Sequence, residues 1–264
     1  MIYENGLPAK RNMATDAFLL DLAGQKTESP IIRIYGWDEP SITIGHHQRV
    51  ERAVDISLLG KTPIVRRVTG GRALLHDDLE LTYAVAGDFV RFGSLGADLS
   101  DSYHLIAQAI IAFYKTCGWT AEMARRDLPV SLSHARSLQK GCFATVSQYE
   151  ITVGNAKVAA GSQRRSRNSF IQHGSIKLAV PLSHPAILDN SQDNADPPSP
   201  IVATSRNDLA RRLITAFEQV YAVELIMRPF TDSEMQGIAA RSGIFENLNP
   251  APFSIEQESG RGSL

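Results

Sequence analysis

Cysteine is scarce. Cys117 and Cys142 are the only two in 264 residues, and they lie far apart in unlike contexts. A disulfide framework is therefore not expected, and the cytoplasm is the default compartment. Net charge is almost absent, −1 from 27 basic and 28 acidic residues, so no basic surface advertises nucleic acid. No apolar run approaches the ~20 residues of a membrane span. The first residues, Met1-Ile2-Tyr3-Glu4-Asn5, carry an acid and no apolar stretch, which argues against a signal peptide. No Cys/His cluster has zinc spacing, so no metal is expected. Neither GxxxxGK nor GxGxxG occurs, which argues against a P-loop and a dinucleotide fingerprint. No internal repeat is found.

What is present fits a soluble globular chain. Apolar residues make up 43% and charged residues 21%, enough for a core with an ordinary surface. One domain is expected over 1–245, with a frayed, flexible tail over 246–264. Helical spacing predicts helices over 12–22, 102–117, 207–221 and 232–240. Gly118 stops the second of these. Strands are predicted over 31–35, 41–44, 63–67, 73–75, 79–85, 148–153, 156–163 and 170–178. In the fifth strand, Leu79, Leu81 and Tyr83 alternate with Glu80 and Thr82. Residues 54–59 read as a short helical connection. The polar stretch 125–140 reads as loop or weak helix, and 182–204, rich in Pro, Ser, Asn and Asp, as a long, partly mobile excursion. Strands do not alternate evenly with helices. The expected class is α+β, with a mixed, mainly antiparallel sheet flanked by helices.

Three segments carry chemistry. In Arg66-Arg67-Val68-Thr69-Gly70-Gly71-Arg72, two glycines after a strand let backbone N–H groups approach a ligand, and the arginines can pair with an anion. A Gly-Gly turn with surface arginines explains the same residues equally well. The second segment runs from Cys142-Phe143 through Tyr149-Glu150 to Lys157. A lysine near a cysteine raises the thiolate fraction and can stabilise an oxyanion. Taken singly, a cysteine is more often a small buried hydrophobe, and Cys117 is assigned to that role on its helix. The third segment is Gln172-His173-Gly174-Ser175-Ile176, where a His-Gly pair in a strand suggests close backbone approach. A structural histidine is the simpler reading of those residues alone.

Five pieces stand in order along the chain: Asn12-Met13-Ala14 with Asp16; Arg33, Tyr35-Gly36-Trp37; Arg66 to Asp77 with Glu80-Leu81-Thr82-Tyr83; Cys142-Phe143, Tyr149-Glu150 and Lys157; and Gln172 to Ile176. Together they resemble the lipoate–protein ligase and octanoyltransferase family, sometimes grouped with biotin ligases. The resemblance covers roughly 1–240 and implies a biotin/lipoate ligase-like catalytic domain. It implies that the Arg-Gly-Gly loop borders an acyl tunnel and that Lys157 touches the acyl carbonyl. Within the family, one branch holds octanoate as a thioester on the cysteine of a Cys-Phe pair upstream of the lysine, as Cys142-Phe143 is placed. The expected activity is therefore octanoyl transfer from acyl carrier protein, through Cys142, to a lysine of a lipoyl domain or glycine-cleavage H protein. No cofactor would be needed.

Cys142 and Lys157 are the expected catalytic residues. Tyr35, Arg66, Arg67, Val68, Thr69, Gly70, Gly71, Leu75, His76, Gly161, Ser162, His173 and Gly174 are expected around the substrate, and Ile171 is a further candidate for the tunnel wall. The alternatives are an ATP- and Mg-dependent lipoate ligase, an amide-exchange transferase and a non-catalytic carrier-binding paralogue. One departure bears on the pocket. The family's run resembles Lys-Val-Ala-Gly-Ser-Ala-Gln, whereas Gly161 and Ser162 here stand one place later. A one-place slip in a strand changes face unless a bulge intervenes. A basic surface at Arg164, Arg165 and Arg167 is a candidate dock for acyl carrier protein.

Overall fold

The computed structural model describes residues 1–25, 29–88, 99–124, 149–154, 156–166, 168–179, 184–188, 201 and 205–248. The seven-stranded sheet runs in the order β1 (Ile2–Leu7), β2 (Ile31–Trp37), β6 (Glu80–Asp88), β10 (Ser169–Lys177), β9 (Ala156–Ser166), β8 (Ile151–Val153), β7 (Ala121–Met123). A second sheet orders β4 (Ile64–Arg66), β3 (Ser41–Ile44), β5 (Leu74–His76). The pairs β1·β2 and β3·β4 are parallel, and the other pairs are antiparallel. The helices are α1 (Ala9–Ala23), the short α2 (Val50–Ala53), α3 (Leu99–Thr116), α4 (Arg206–Tyr221) and α5 (Asp232–Arg241). The expected α+β class, with a mainly antiparallel sheet flanked by helices, is what the chain adopts.

The large sheet is covered on both faces. On one, Ile32, Ile34, Leu81, Tyr83 and Val85 pack with Ile106, Ile110 and Phe113 of α3 and with Leu209, Leu213 and Phe217 of α4. Each such side chain contributes about 1.5–3 kcal/mol by leaving water. On the other, Met13, Leu19 and Leu20 of α1 meet Ile31, Tyr35, Ala84, Ala86 and Ile171. The second sheet has its own apolar core, in which Ile42, Ile44, Ile64 and Leu75 lie with Val54, Leu59 and Ile187. Local signals set the helix ends. Ser205 accepts from the Asp208 N–H, and Thr231 forms a capping box with Glu234.

Double coverage changes how β6 reads. Its alternation predicts Glu80 and Thr82 on a wetter face, yet every residue of the strand is buried. As a central strand it has no solvent side. Two strands escape the sequence reading altogether, and the short α2 lies just before the helical connection expected over 54–59. Strand β1 contains Glu-Asn-Gly, poor strand formers, and is held by parallel pairing to β2 and by the Glu4–Arg33 ion pair. Strand β7 is three residues long. At the other end of the chain, Asn247 Oδ1 and the Leu248 N–H bond to the backbone of Ile64, and residues 249–264 lie outside the described residues.

Candidate active site

The first motif is a buried polar network. From α1, Asn12 donates to the carbonyls of Leu7 and Gly36, and Asp16 receives Arg33 Nη1 at 2.9 Å and the Tyr35 hydroxyl at 2.7 Å. Arg33 also reaches Glu4 at 2.7 Å and Asn12 Oδ1 at 2.7 Å. His173 Nδ1 lies 2.7 Å from Asp16 Oδ2, and its Nε2 faces the Thr69 hydroxyl. Burial alone would raise the Asp16 carboxyl. The His173 hydrogen bond and the Arg33 charge outweigh it and hold Asp16 below its ordinary value. With Asp16 ionised, Nδ1 of His173 is the nitrogen that donates to it. Thr69 Oγ1 is also 2.7 Å from Ser162 Oγ. The chain Ser162–Thr69–His173–Asp16 thus ties the Gly-Gly loop, β9, β10 and α1 together.

A second buried network lies along β5, β6 and β10. Glu80 receives His76 Nδ1, the hydroxyls of Thr82 and Ser175, and Lys177 Nζ. Burial raises the Glu80 carboxyl, but Lys177 and His76 more than cancel it and hold Glu80 far below the carboxylate range. Desolvation pushes the His76 ring down, more than Glu80 pulls it up. His76 Nε2 meets the Thr43 hydroxyl at 2.8 Å, and the ring stacks on Trp37 at 3.9 Å.

The arginines of the loop serve the loop itself. Arg66 donates to the carbonyls of Gly45, His46 and Gln48. Arg67 donates to Thr43 and to the carbonyls of Gly70 and Arg72. Buried loop carbonyls require donors, and these two side chains supply them. Gly71 has φ +94°, and a Cβ there would sit 2.9 Å from Arg67 Nη2, so the clamp and the glycine depend on each other. Gly174 is needed for a different reason: a Cβ would strike the Ala160 carbonyl across the β9·β10 pair.

Between the sheets lies a cavity of about 410 Å³, within the usual ~300–1,000 Å³ of small-ligand sites. Among the expected residues, Tyr35, Arg67, Gly71, His76, Gly161, Ser162, His173 and Gly174 line it. Its apolar wall comes from Met13, Trp37, Leu74 and Ala160, with Tyr103 and Tyr149 at one end. Arg66, Val68, Thr69, Gly70, Leu75 and Ile171 are not among the lining residues, though Thr69 sits directly behind Ser162. Leu75 and Leu74 point to opposite faces of β5. Leu75 enters the core of the second sheet, and Leu74 faces the cavity. Ile171 and Val68 pack into the core beneath α1. Tyr103, in the first turns of α3, carries no sequence signal for this role.

At the tyrosine end, Tyr149 stacks on Tyr103 with centroids 5.4 Å apart and has φ +71°, a conformation uncommon for a bulky residue. The next residue, Glu150, lines the cavity and receives Lys157 Nζ at 2.6 Å. Lys157 is almost fully buried. Cys142 and Phe143 lie outside the described residues, as do Arg167 and the stretch 125–148.

The displaced Gly161-Ser162 pair finds its account in a bulge. Ile151 pairs with Ala159 and Thr152 with Lys157, so β9 carries one extra residue opposite β8 at Val158. Beyond it, Ser162 pairs with His173 and Gly161 with Gly174. Ser162 therefore faces the cavity and the Thr69 hydroxyl, while Gly161 leaves room for the Tyr83 hydroxyl on the far face.

The model of the lipoyl protein ligase A/B catalytic domain matches residues 8–211. A relative from Bacillus cereus named Octanoyltransferase LipM is 35% identical over 174 residues, 65% of this chain and 62% of that protein. Another of that name, from Kyrpidia tusciae, is 36% identical over 169 residues, 63% of this chain and 61% of that protein. The match thus spans about three fifths of these relatives' own length. Among solved structures, a T. acidophilum protein with bound lipoic acid superposes with a TM-score of 0.70 at 18% identity, covering 90% of each chain. Lipoate-protein ligase A bound with ATP gives 0.66 at 18% identity, covering 92% of this chain and 95% of that one. At such identities the structural likeness concerns the fold.

Proposed function

The chain belongs to the lipoyl protein ligase A/B catalytic domain family, and from that membership we propose that it is an octanoyltransferase of lipoate biosynthesis. It would take octanoate from the thioester of acyl carrier protein and leave it as an amide on a lysine of a lipoyl domain or glycine-cleavage H protein, in the cytoplasm. The observation that carries this reading is the character of the cavity. Its wall is apolar and aromatic, which suits an alkyl chain. The guanidinium groups of Arg66 and Arg67, which could otherwise cradle a triphosphate, are bound to carbonyls of the protein's own loops. The relatives named octanoyltransferases support the same substrate class.

In this mechanism the Cys142 thiolate attacks the thioester carbonyl, and the carrier's thiolate leaves. The Lys157 ammonium favours the thiolate and steadies the oxyanion. The acceptor amine then attacks the Cys142 thioester, the C–N bond forms, and the thiol returns. Thioester exchange is nearly balanced and amide formation is downhill, so neither ATP nor a metal is required. The residues at 69–72, with His76, Gly161, Ser162, His173 and Gly174, shape the site around the carbonyl.

The test is reconstitution with octanoyl-acyl carrier protein and a lipoyl domain, in the absence of ATP. An octanoyl amide on the lipoyl domain is the expected product. Transfer that needs ATP and a free acid would replace this reading with a ligase. Transfer only from octanoylated H protein would indicate amide exchange, and none under any condition would indicate a carrier-binding paralogue.

A further inference from the structure

An acyl carrier protein holds its thioester at the tip of a pantetheine arm, and a phosphodiester joins that arm to the carrier. With the acyl chain in the cavity, this anion rests outside the rim. A group that receives it should be cationic or rich in N–H, exposed, and fixed to the rim.

The turn at 45–48, directly after β3, meets this description. Gly45 packs so closely on the Gly-Gly loop that a Cβ would strike the Gly71 carbonyl, and Gly71 lines the cavity. The His46 N–H donates to the Thr69 carbonyl at 2.8 Å, and Arg66 donates to the carbonyls of Gly45, His46 and Gln48. The backbone is thus pinned to the rim. The His46 and His47 residues are exposed, and their rings meet edge to face with centroids 4.7 Å apart. From β9, Arg164 stands two places beyond Ser162, on the same face of the strand, and its Nη1 donates to the Val68 carbonyl at 3.0 Å. Arg165 turns the other way, to Gln163, which bonds Ser102 of α3. Of these two arginines only Arg164 stays beside the loop.

The charges gathered here have one sign. Desolvation lowers the His46 ring, and the positive charges of Arg164, His47 and Arg66 lower it further, which places all four groups within electrostatic reach. Among the described residues, no salt bridge involves His46, His47 or Arg164. The Arg66 guanidinium is engaged with carbonyls, so it adds charge rather than a binding group.

Resting on the octanoyltransferase reading, we propose that His46, His47 and Arg164 form the dock for the donor carrier, receiving the phosphodiester of its pantetheine arm while the acyl chain enters past Gly71 and Ser162. Guanidinium bonds to phosphate are charge-assisted, and the imidazole N–H groups add neutral ones. Charge also selects donor over acceptor. The acceptor brings a lysine ammonium, which Arg164 repels, whereas the donor brings an anion.

The test measures binding, apart from turnover. Dissociation constants are taken for octanoyl-acyl carrier protein and for the apo-carrier, which lacks the arm. The proteins are wild type, the double variant His46→Glu/His47→Glu, and Arg211→Glu. Both histidine side chains are free of hydrogen bonds among the described residues, so the double variant should fold. Arg211 is exposed on α4, which packs on the opposite face of the large sheet, and serves as the control. The double variant should weaken octanoyl-carrier binding roughly 10-fold and apo-carrier binding by less than about 2-fold. Arg211→Glu should shift neither. An equal loss for both carriers, no loss for the octanoyl-carrier, or the same loss in Arg211→Glu overturns the proposal. A wild type that binds the carrier through this patch, yet passes no octanoyl group to a lipoyl domain without ATP, defeats the octanoyltransferase reading instead.

Discussion

On the α1 side of the cavity, Asp16, Arg33 and His173 are buried, and each meets partners from other elements of the fold. At the tyrosine end, Glu150 and Lys157 also pair, but there the carboxylate opens onto the cavity. The two regions use the same interaction for different ends. Charges satisfied within the fold fix strand, helix and loop relative to one another. A pair that borders the cavity stands beside whatever the cavity holds. The difference separates residues whose loss should cost the fold from residues whose loss should cost the reaction.

The largest effect is expected in the first region. Asp16→Ala leaves Arg33 buried without its main counter-charge and should lower unfolding free energy by about 3–5 kcal/mol. Denaturant titration measures this directly, and a change below about 1 kcal/mol would erase the contrast between the regions. In the second region, Lys157→Ala should slow acyl loading by roughly 10²- to 10³-fold, with a smaller loss of stability than Asp16→Ala. Burst kinetics and thermal melts on the same sample test the pair of statements.

Acid should weaken the buried networks in a set order. His76, held neutral by burial, has a lowered pKa, and so do the Asp16 and Glu80 carboxyls. For each, the unfolded chain binds more protons than the folded one between the two values. Their stabilisation is therefore complete above the unfolded values of 6.5, 3.8 and 4.5 and is lost as pH falls through the lower folded values. The melting temperature should decline from near pH 6.5 and fall fastest below about 4.5. Glu80→Gln should melt lower at neutral pH and show a flatter acid limb. An unchanged limb would mean that Glu80 does not supply it. The smallest effect is expected of Ser162→Ala, which removes one hydroxyl bond to Thr69 and should cost about 0.5–1.5 kcal/mol. A much larger loss would place Ser162 among the structural residues of the first region.

Much of this was legible in the sequence where the signal is local. The stripes of α3 and α4 and the apolar run of β2 identify those elements, because period and burial coincide there. What failed depends on neighbours distant in sequence. Strand β1 exists because β2 and Arg33 hold it. Glu80 looks like a surface residue until Lys177, 97 positions later, is brought beside it. Leu74 and Leu75 cannot be sorted into cavity and core without knowing which face of β5 meets the second core. Arg66 and Arg67 have the chemistry of anion binders, and only the folded loop reveals the carbonyls that claim them. The one-place displacement of Ser162 was visible in the sequence, but the bulge that accommodates it is a property of the β8·β9 pair.

The central claim is that the acyl group travels on Cys142, and intact mass measures it most directly. Mixed with octanoyl-acyl carrier protein and no ATP, the wild-type protein should gain the mass of one octanoyl group, lose it when a lipoyl domain is added, and show no gain in Cys142→Ala. An adduct that persists in Cys142→Ala, or transfer at an undiminished rate by that variant, would contradict the account.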